Sequence, residues 1–266
     1  MKLANIIPVA HLNTLVDQRE RFHLVIANLI NEVQPYREFY RERVREGDYV
    51  IIDSLAFERP EGSSAEDLAQ AWRTLWRPRA NLEIVLPDRM DDPFESVRMT
   101  RQGLEELRSV VYADDPTRRT KFQAVPHGRT WEEYLAHAKE LANLSDVSVI
   151  GVQEEVDDLF EMIREVVVYK LQATIGGKQW HLNGVREDLT DLRSEWMRKN
   201  VRSTDTSKFV VWGFNNVGVR PDMDVIPRYP GRKKFGGSTG YFAYAASRKE
   251  QLTTAYNNLV AWREYL

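Results

Sequence analysis

Apolar residues gather in short runs along this chain. Each run ends at a polar residue or a glycine, and most are followed by a longer amphipathic segment. The runs are Ile6–Ala10, His23–Asn28, Tyr49–Asp53, Leu82–Asp88, Phe122–His127, Val147–Val152, Gln179–Asn183 and Val201–Asp205. Continuous apolar runs of about four to eight residues suit buried parallel strands, which are covered on both faces. The segments between them carry helix signals. Asp92-Pro93-Phe94-Glu95 offers an Asp N-cap with Pro at the first helical position. Leu104, Leu107, Val110 and Val111 continue it at helical spacing. Thr130-Trp131-Glu132-Glu133 and Ser63-Ser64-Ala65-Glu66 read as two further capping boxes. Residues 154–171, 190–199 and 249–266 predict helices, as does 37–45, whose Arg and Glu at i,i+4 suit a solvated face.

Eight strands alternating with helices predict an α/β fold, a single (β/α)₈ barrel over 1–266. The chain has 266 residues, close to the usual barrel size of about 250. An open doubly wound sheet is the structural alternative. It would usually carry a Gly-rich phosphate loop after its first strand, and Pro8-Val9-Ala10-His11-Leu12-Asn13 is not one. Residues 220–240, rich in Pro and Gly and without period, predict a substrate-binding loop insertion after the last strand.

Composition narrows the chemistry. Lys+Arg 37 against Asp+Glu 40 excludes a polycationic binder, so an anionic polymer would need a local patch. With no cysteine, a disulfide framework, a thiol nucleophile and a Cys-ligated zinc or iron–sulfur site are all excluded. No signal peptide and no apolar run long enough for a membrane span is seen, so a cytoplasmic protein is expected.

In such a barrel the chemistry sits at the C-terminal strand ends. Those ends read Asn28, Asp53, Asp88, His127, Gln153, Asn183 and Asp205, each of which could equally be a turn residue or a cap. Asp53, closing the apolar Tyr49-Val50-Ile51-Ile52, is expected to be partly desolvated and suited to acid–base work. Asp205 has hydroxyl neighbours that could keep it ionised as a nucleophile, and two carboxylates across a cleft suit chemistry at an anomeric carbon. The five histidines are dispersed, and no catalytic metal is expected; Asp88, Asp91 and Asp92 could form a hard-cation site, but Asp92 is better explained as a cap. Arg228, Arg232, Lys233 and Lys234, set among aromatics and glycines, form a candidate backbone-binding loop. Arg118, Arg119 and Lys121 form a weaker basic patch beside Asp114 and Asp115.

Taken in order, the strand-end motifs resemble the tRNA-guanine transglycosylase superfamily, most of all its compact phage and bacterial DNA-acting relatives. Ile52-Asp53-Ser54-Leu55-Ala56-Phe57-Glu58 is similar to that family's Asp-Ser-Gly-Gly-Phe-Gln. Phe122–Gly128 resembles its strand ending in Gln-Gly, Val149-Ile150-Gly151-Val152 its Ile-Gly-Gly-Leu, and Trp180–Val185 its Tyr-Leu-Met-Gly-Val. Ser203–Ser207 stands where the family places its nucleophilic Asp.

The resemblance implies a pentosyltransferase that exchanges guanine for a 7-deazaguanine base, such as preQ0 or a derivative, in DNA or tRNA. Asp205 would form a covalent glycosyl intermediate and Asp53 would shuttle protons. Asp88 (with Asp91 as fallback), Ser54, His127, Gly128, Gly151, Val152 and Asn28 would line the base pocket. No cofactor would be needed, and the family's Cys₃His zinc site cannot exist here. A nucleosidase, a tRNA-acting enzyme and a non-catalytic nucleic-acid-binding relative stay open, as does oligomeric state. If phage-encoded, it would work in the bacterial cytoplasm.

Overall fold

The computed structural model describes residues 1–54, 62–90, 92–232 and 237–266, without the side chains of 237–239. Eight strands, β1 (Lys2–Asn5), β2 (Phe22–Ile26), β3 (Tyr49–Asp53), β4 (Asn81–Val85), β5 (Lys121–Ala124), β6 (Val147–Gln153), β7 (Gln179–Asn183) and β8 (Ser203–Thr206), close into a barrel in sequence order. The (β/α)₈ expectation therefore holds. Chain contacts divide the molecule into two compact units, residues 24–182 and residues 1–23 with 183–266.

In the unit of residues 24–182, parallel ladders run from β3 through β6. Ile51, Ile52, Leu82, Ile84, Phe122, Val149 and Ile150 are fully buried, as continuous apolar strands require. The β5–β6 ladder carries a one-residue irregularity. Phe122 pairs with Val147 but Gln123 pairs with Val149, so Ser148 is the extra residue of a bulge. Helix Pro93–Asp114 starts at Asp92, whose carboxylate accepts from the Phe94 and Glu95 amides at 3.1 and 3.0 Å. Helix Trp131–Ala142 starts at Thr130, whose hydroxyl accepts from the Glu133 amide at 3.2 Å. Gly128 lies against that helix, and a Cβ there would stand 2.4 Å from the Tyr134 nitrogen. Only glycine allows so close a backbone approach.

In the other unit, β1 pairs with β8 and sets Ala4 opposite Asp205. Helix Lys208–Phe214 packs on helix Lys249–Tyr265. Phe209 stacks on Trp262 at 5.4 Å, and a Cβ on Gly213 would meet the Ala255 Cα at 2.2 Å.

Several boundaries differ from the sequence reading. The first strand is Lys2–Asn5 rather than Ile6–Ala10, because Pro8 has no N–H to give a ladder and opens a 3-10 turn at Val9–His11. The cap before helix Ala65–Leu75 is Ser64 with Asp67, one residue later than expected. The helix expected over 154–171 breaks at Glu161, whose φ of 52° is left-handed, into Val156–Phe160 and Arg164–Thr174. The helix expected over 190–199 breaks at Ser194 into Thr190–Arg193 and Glu195–Asn200. Within the expected 220–240 loop, a helix runs from Gly237 to Ala243. Among the described residues no helix is long and apolar enough to cross a membrane.

Candidate active site

Three successive strand ends converge on one imidazole. Asp88 lies three residues beyond β4, His127 three beyond β5, and Gln153 closes β6. The segment carrying Asp88 is fixed on both sides. The Leu86 amide extends the ladder to the Gln123 carbonyl at 2.8 Å, and the Pro87 carbonyl accepts from the Thr100 hydroxyl at 2.9 Å. Gly103 leaves room for the Pro87 ring, since a Cβ there would come within 2.7 Å of Pro87 Cδ.

His127 Nε2 stands 2.6 Å from Asp88 Oδ2, and Gln153 Nε2 stands 3.0 Å from His127 Nδ1. The Gln153 amide N–H donates, so Nδ1 is an acceptor. The ring proton then sits on Nε2 and is donated to Asp88. Asp88 Oδ1 has no hydrogen-bond partner among the described residues. The site thus holds a buried carboxylate with one oxygen clamped and one unengaged.

A second imidazole stands behind the first. The His127 backbone N–H donates to His137 Nδ1 at 2.9 Å. The same nitrogen is 3.1 Å from the His127 carbonyl, so His137 Nδ1 sits between the amide donor and the carbonyl acceptor of one residue. Burial pushes the pKa of His137 down to about 4; the bond to the His127 carbonyl and the charge of Asp88 oppose this, and the His127 side chain adds to it. His137 is therefore neutral near pH 7. Sequence reasoning named Gln153 as a polar strand end but gave it no partner, and gave His137 no role; Gln153 lies 26 residues and His137 10 residues from His127.

The other candidates fall elsewhere. Asp53 ends β3 half-buried, near enough to the buried Tyr36 phenol that its charge, after burial itself, raises that phenol's pKa. Ser54 is buried, and its carbonyl accepts from the Ser63 amide at 2.7 Å. Asn28 lies in helix Ala27–Glu32 and accepts from the Ser63 hydroxyl at 3.0 Å. Asp205 lies within β8, buried, and accepts from the Gly184 amide at 3.2 Å. Arg228 is exposed, and its carbonyl accepts from the Trp212 indole at 3.4 Å. The Arg232 guanidinium is 5.7 Å from the Tyr241 ring centre. Lys233, Lys234 and Asp91 lie outside the described residues. No group of three His, Asp or Glu side chains among the described residues is placed to hold a metal ion.

No family model matches the chain, and no curated protein does. Solved structures do. One is the YdjI aldolase from Escherichia coli K12, 10% identical, over 98% of this chain and 86% of that one, with a TM-score of 0.55. Another is oxaloacetate acetylhydrolase bound to the inhibitor 3,3-difluorooxalacetate, 9% identical, over 78% of this chain and 75% of that one, with a TM-score of 0.50. At these identities the likeness is one of fold, and the chain is an eight-stranded α/β barrel of the kind these enzymes share.

These neighbours overturn the resemblance to guanine transglycosylases, and with it the pentosyltransferase activity, the nucleosidase alternative, the 7-deazaguanine base and the DNA or tRNA partner. The geometry gives physical reasons. Asp88, expected in the base pocket, has Oδ2 held by His127, which leaves one oxygen where the N1–H and NH₂ of a guanine edge present two donors. The Val152 carbonyl, expected to face a base, accepts from the buried Arg164 guanidinium. Gly151 is buried inside β6, and Gly128 serves the approach of a helix.

Proposed function

We propose that the chain is an enzyme that breaks or forms a carbon–carbon bond beside a carbonyl in a small oxo- or hydroxy-acid, with Asp88 as proton acceptor. The observation that carries this reading is the Asp88 carboxylate, clamped through Oδ2 at 2.6 Å with Oδ1 unengaged. A carboxylate so held keeps a fixed direction for its second oxygen, which is what a general base requires. In cleavage, Oδ1 takes the proton of a β-hydroxyl. The O–H electron pair becomes the new C=O bond, and the C–C bond breaks. Its electrons stay on the carbonyl fragment as an enolate, which then takes a proton at carbon. His127 is a positioning residue, and Gln153 holds its tautomer. The fold likeness to an aldolase and to an oxaloacetate acetylhydrolase supports chemistry of this class.

The test is proton NMR in heavy water. 4-Hydroxy-2-oxo acids are followed for release of pyruvate, and pyruvate itself for exchange of its methyl protons. The wild type should do one or both, and Asp88→Asn should lower the rate by about 10²–10⁴-fold, the usual worth of a general base. His127→Gln should retain partial activity with a displaced pH profile. No cleavage or exchange with any acid, or unchanged rates in Asp88→Asn, overturns the proposal.

A further inference from the structure

The opposite ends of the same strands carry a second feature. A cavity of about 550 Å³ opens at the N-terminal ends of β3–β6. Arg118 and Arg119 reach it from the loop before β5, Lys121, bonded to the Gln179 side chain at 2.8 Å, from the first position of β5, and Tyr49 and Tyr112 line it. The Arg118 guanidinium stands 4.6 Å from the Tyr112 ring centre, and Lys121 Nζ stands 5.9 Å from that of Tyr49. Arg119 Nη2 donates to the neutral Asn81 amide oxygen at 3.1 Å. Neither arginine side chain has a carboxylate partner among the described residues.

Of the neighbouring acids, Glu83 is buried opposite Lys121 in the ladder and accepts from the Tyr49 hydroxyl at 2.5 Å. Asp115 turns away into its own loop, accepting from the Thr117 hydroxyl, the Arg119 and Thr120 amides and the Thr120 hydroxyl at 2.6–3.1 Å. Asp146, on the cavity wall, is taken by the Tyr112 hydroxyl at 2.7 Å and by Arg108 at 3.3 Å. Asp115 therefore braces the loop while Arg118 and Arg119 are exposed, and Arg118 holds a left-handed φ of 51°. Ser148, the extra residue of the β6 bulge, also lines the cavity, and its hydroxyl has no hydrogen-bond partner among the described residues. Bulges are frequent at the rims of barrels, where they re-aim a side chain.

We propose that this cavity binds a phosphate-bearing small molecule. Planar guanidinium forks suit a phosphoryl group, and the tyrosines suit a flat organic body attached to it. The site does not depend on the reading of Asp88.

Calorimetric titration of the full chain at low ionic strength, with inorganic phosphate and with phenyl phosphate, tests the proposal. Saturable binding that weakens as salt rises is expected. Arg119→Gln should weaken it by about tenfold and the double variant with Arg118→Gln by more, each arginine giving a charge-assisted bond. Arg228→Gln, a cation in the other unit, should leave it unchanged. Tighter phenyl phosphate identifies an organic phosphate as the ligand; equal affinities identify phosphate itself. A second measurement needs no variant: arginine modification by phenylglyoxal, mapped by mass spectrometry, should be slowed at Arg118 and Arg119 by either probe. Absence of saturable binding, equal losses in Arg228→Gln, or unprotected Arg118 and Arg119 would each overturn the site.

Discussion

The two ends of strands β4–β6 treat a buried carboxylate in opposite ways. Asp88, beyond the C-terminal end of β4, is 4% exposed, and Asp115, in the loop entering β5, is 5% exposed. Burial therefore does not separate them. Their donors do. Asp115 receives bonds from two hydroxyls and two amides within five residues of itself. Burial alone would push its pKa up, but those donors outweigh it and hold the group below the usual carboxylate range. Asp88 receives a bond from one imidazole, supplied from 39 residues away, and keeps an oxygen unengaged. A carboxylate saturated by its own loop is part of the scaffold. One that is oriented by a distant side chain and left half-satisfied is equipped to take a proton.

Four outcomes test that contrast, the largest first. Asp88→Asn should lower turnover by about 10²–10⁴-fold while shifting Tm by only a few degrees, since the amide still accepts from His127. Equal losses of turnover and stability would erase the distinction. Asp115→Ala should do the reverse. Four donors would lose their acceptor, at a cost of about 3 kcal/mol, which differential scanning calorimetry should record as a fall in Tm of roughly 6–10 °C.

Acid titration of the folded protein gives the third. The folded pKa of His137 lies near 4, below the unfolded value of about 6.5. Its contribution to stability is full above pH 6.5 and is lost as pH falls toward 4, because only the unfolded state binds the proton in that window. The loss is at most about 3 kcal/mol. Denaturant midpoints between pH 7 and pH 4 should fall less steeply in His137→Phe. Asp115, with its lowered pKa, loses its contribution at still lower pH. Thr117→Val is the smallest perturbation. It removes the 2.6 Å donor to Asp115 and should cost about 1 kcal/mol with turnover unchanged.

How far the molecule was legible in its sequence follows from the range of each interaction. Caps are local, so Asp92 and Thr130 declare their helices within three residues. Strands β3 and β7 carry their boundaries in apolar runs bounded by polar residues, and both ends match the sequence reading. β1 misleads because Ile6 and Ile7 are as buried as a strand while Pro8 forbids the ladder. Asp88 and His127 could be named individually as strand-end polar residues. Their partnership could not, because it depends on how two loops converge in space. The transglycosylase resemblance failed for the same reason: it rested on the order and spacing of short motifs, which carry no information about which side chains meet.

The bulge at Ser148 has a consequence for the evolution of this barrel. With the pairing of Ala124 to Ile150 carried three residues onward, His127 falls level with Gln153. In the frame set by Phe122 and Val147, the residue level with His127 would instead be Val152, an apolar side chain with nothing to donate. A deletion of the single Ser148 codon would remove only the extra residue, leaving Gln123 paired with Val149 and His127 still level with Gln153, so the barrel can lose this residue without losing the site's register. Pairing Ser148 into a regular ladder would do the opposite and set the hydrocarbon of Val152 level with the imidazole, so it is the bulge, and not the serine hydroxyl, that brings the amide into place.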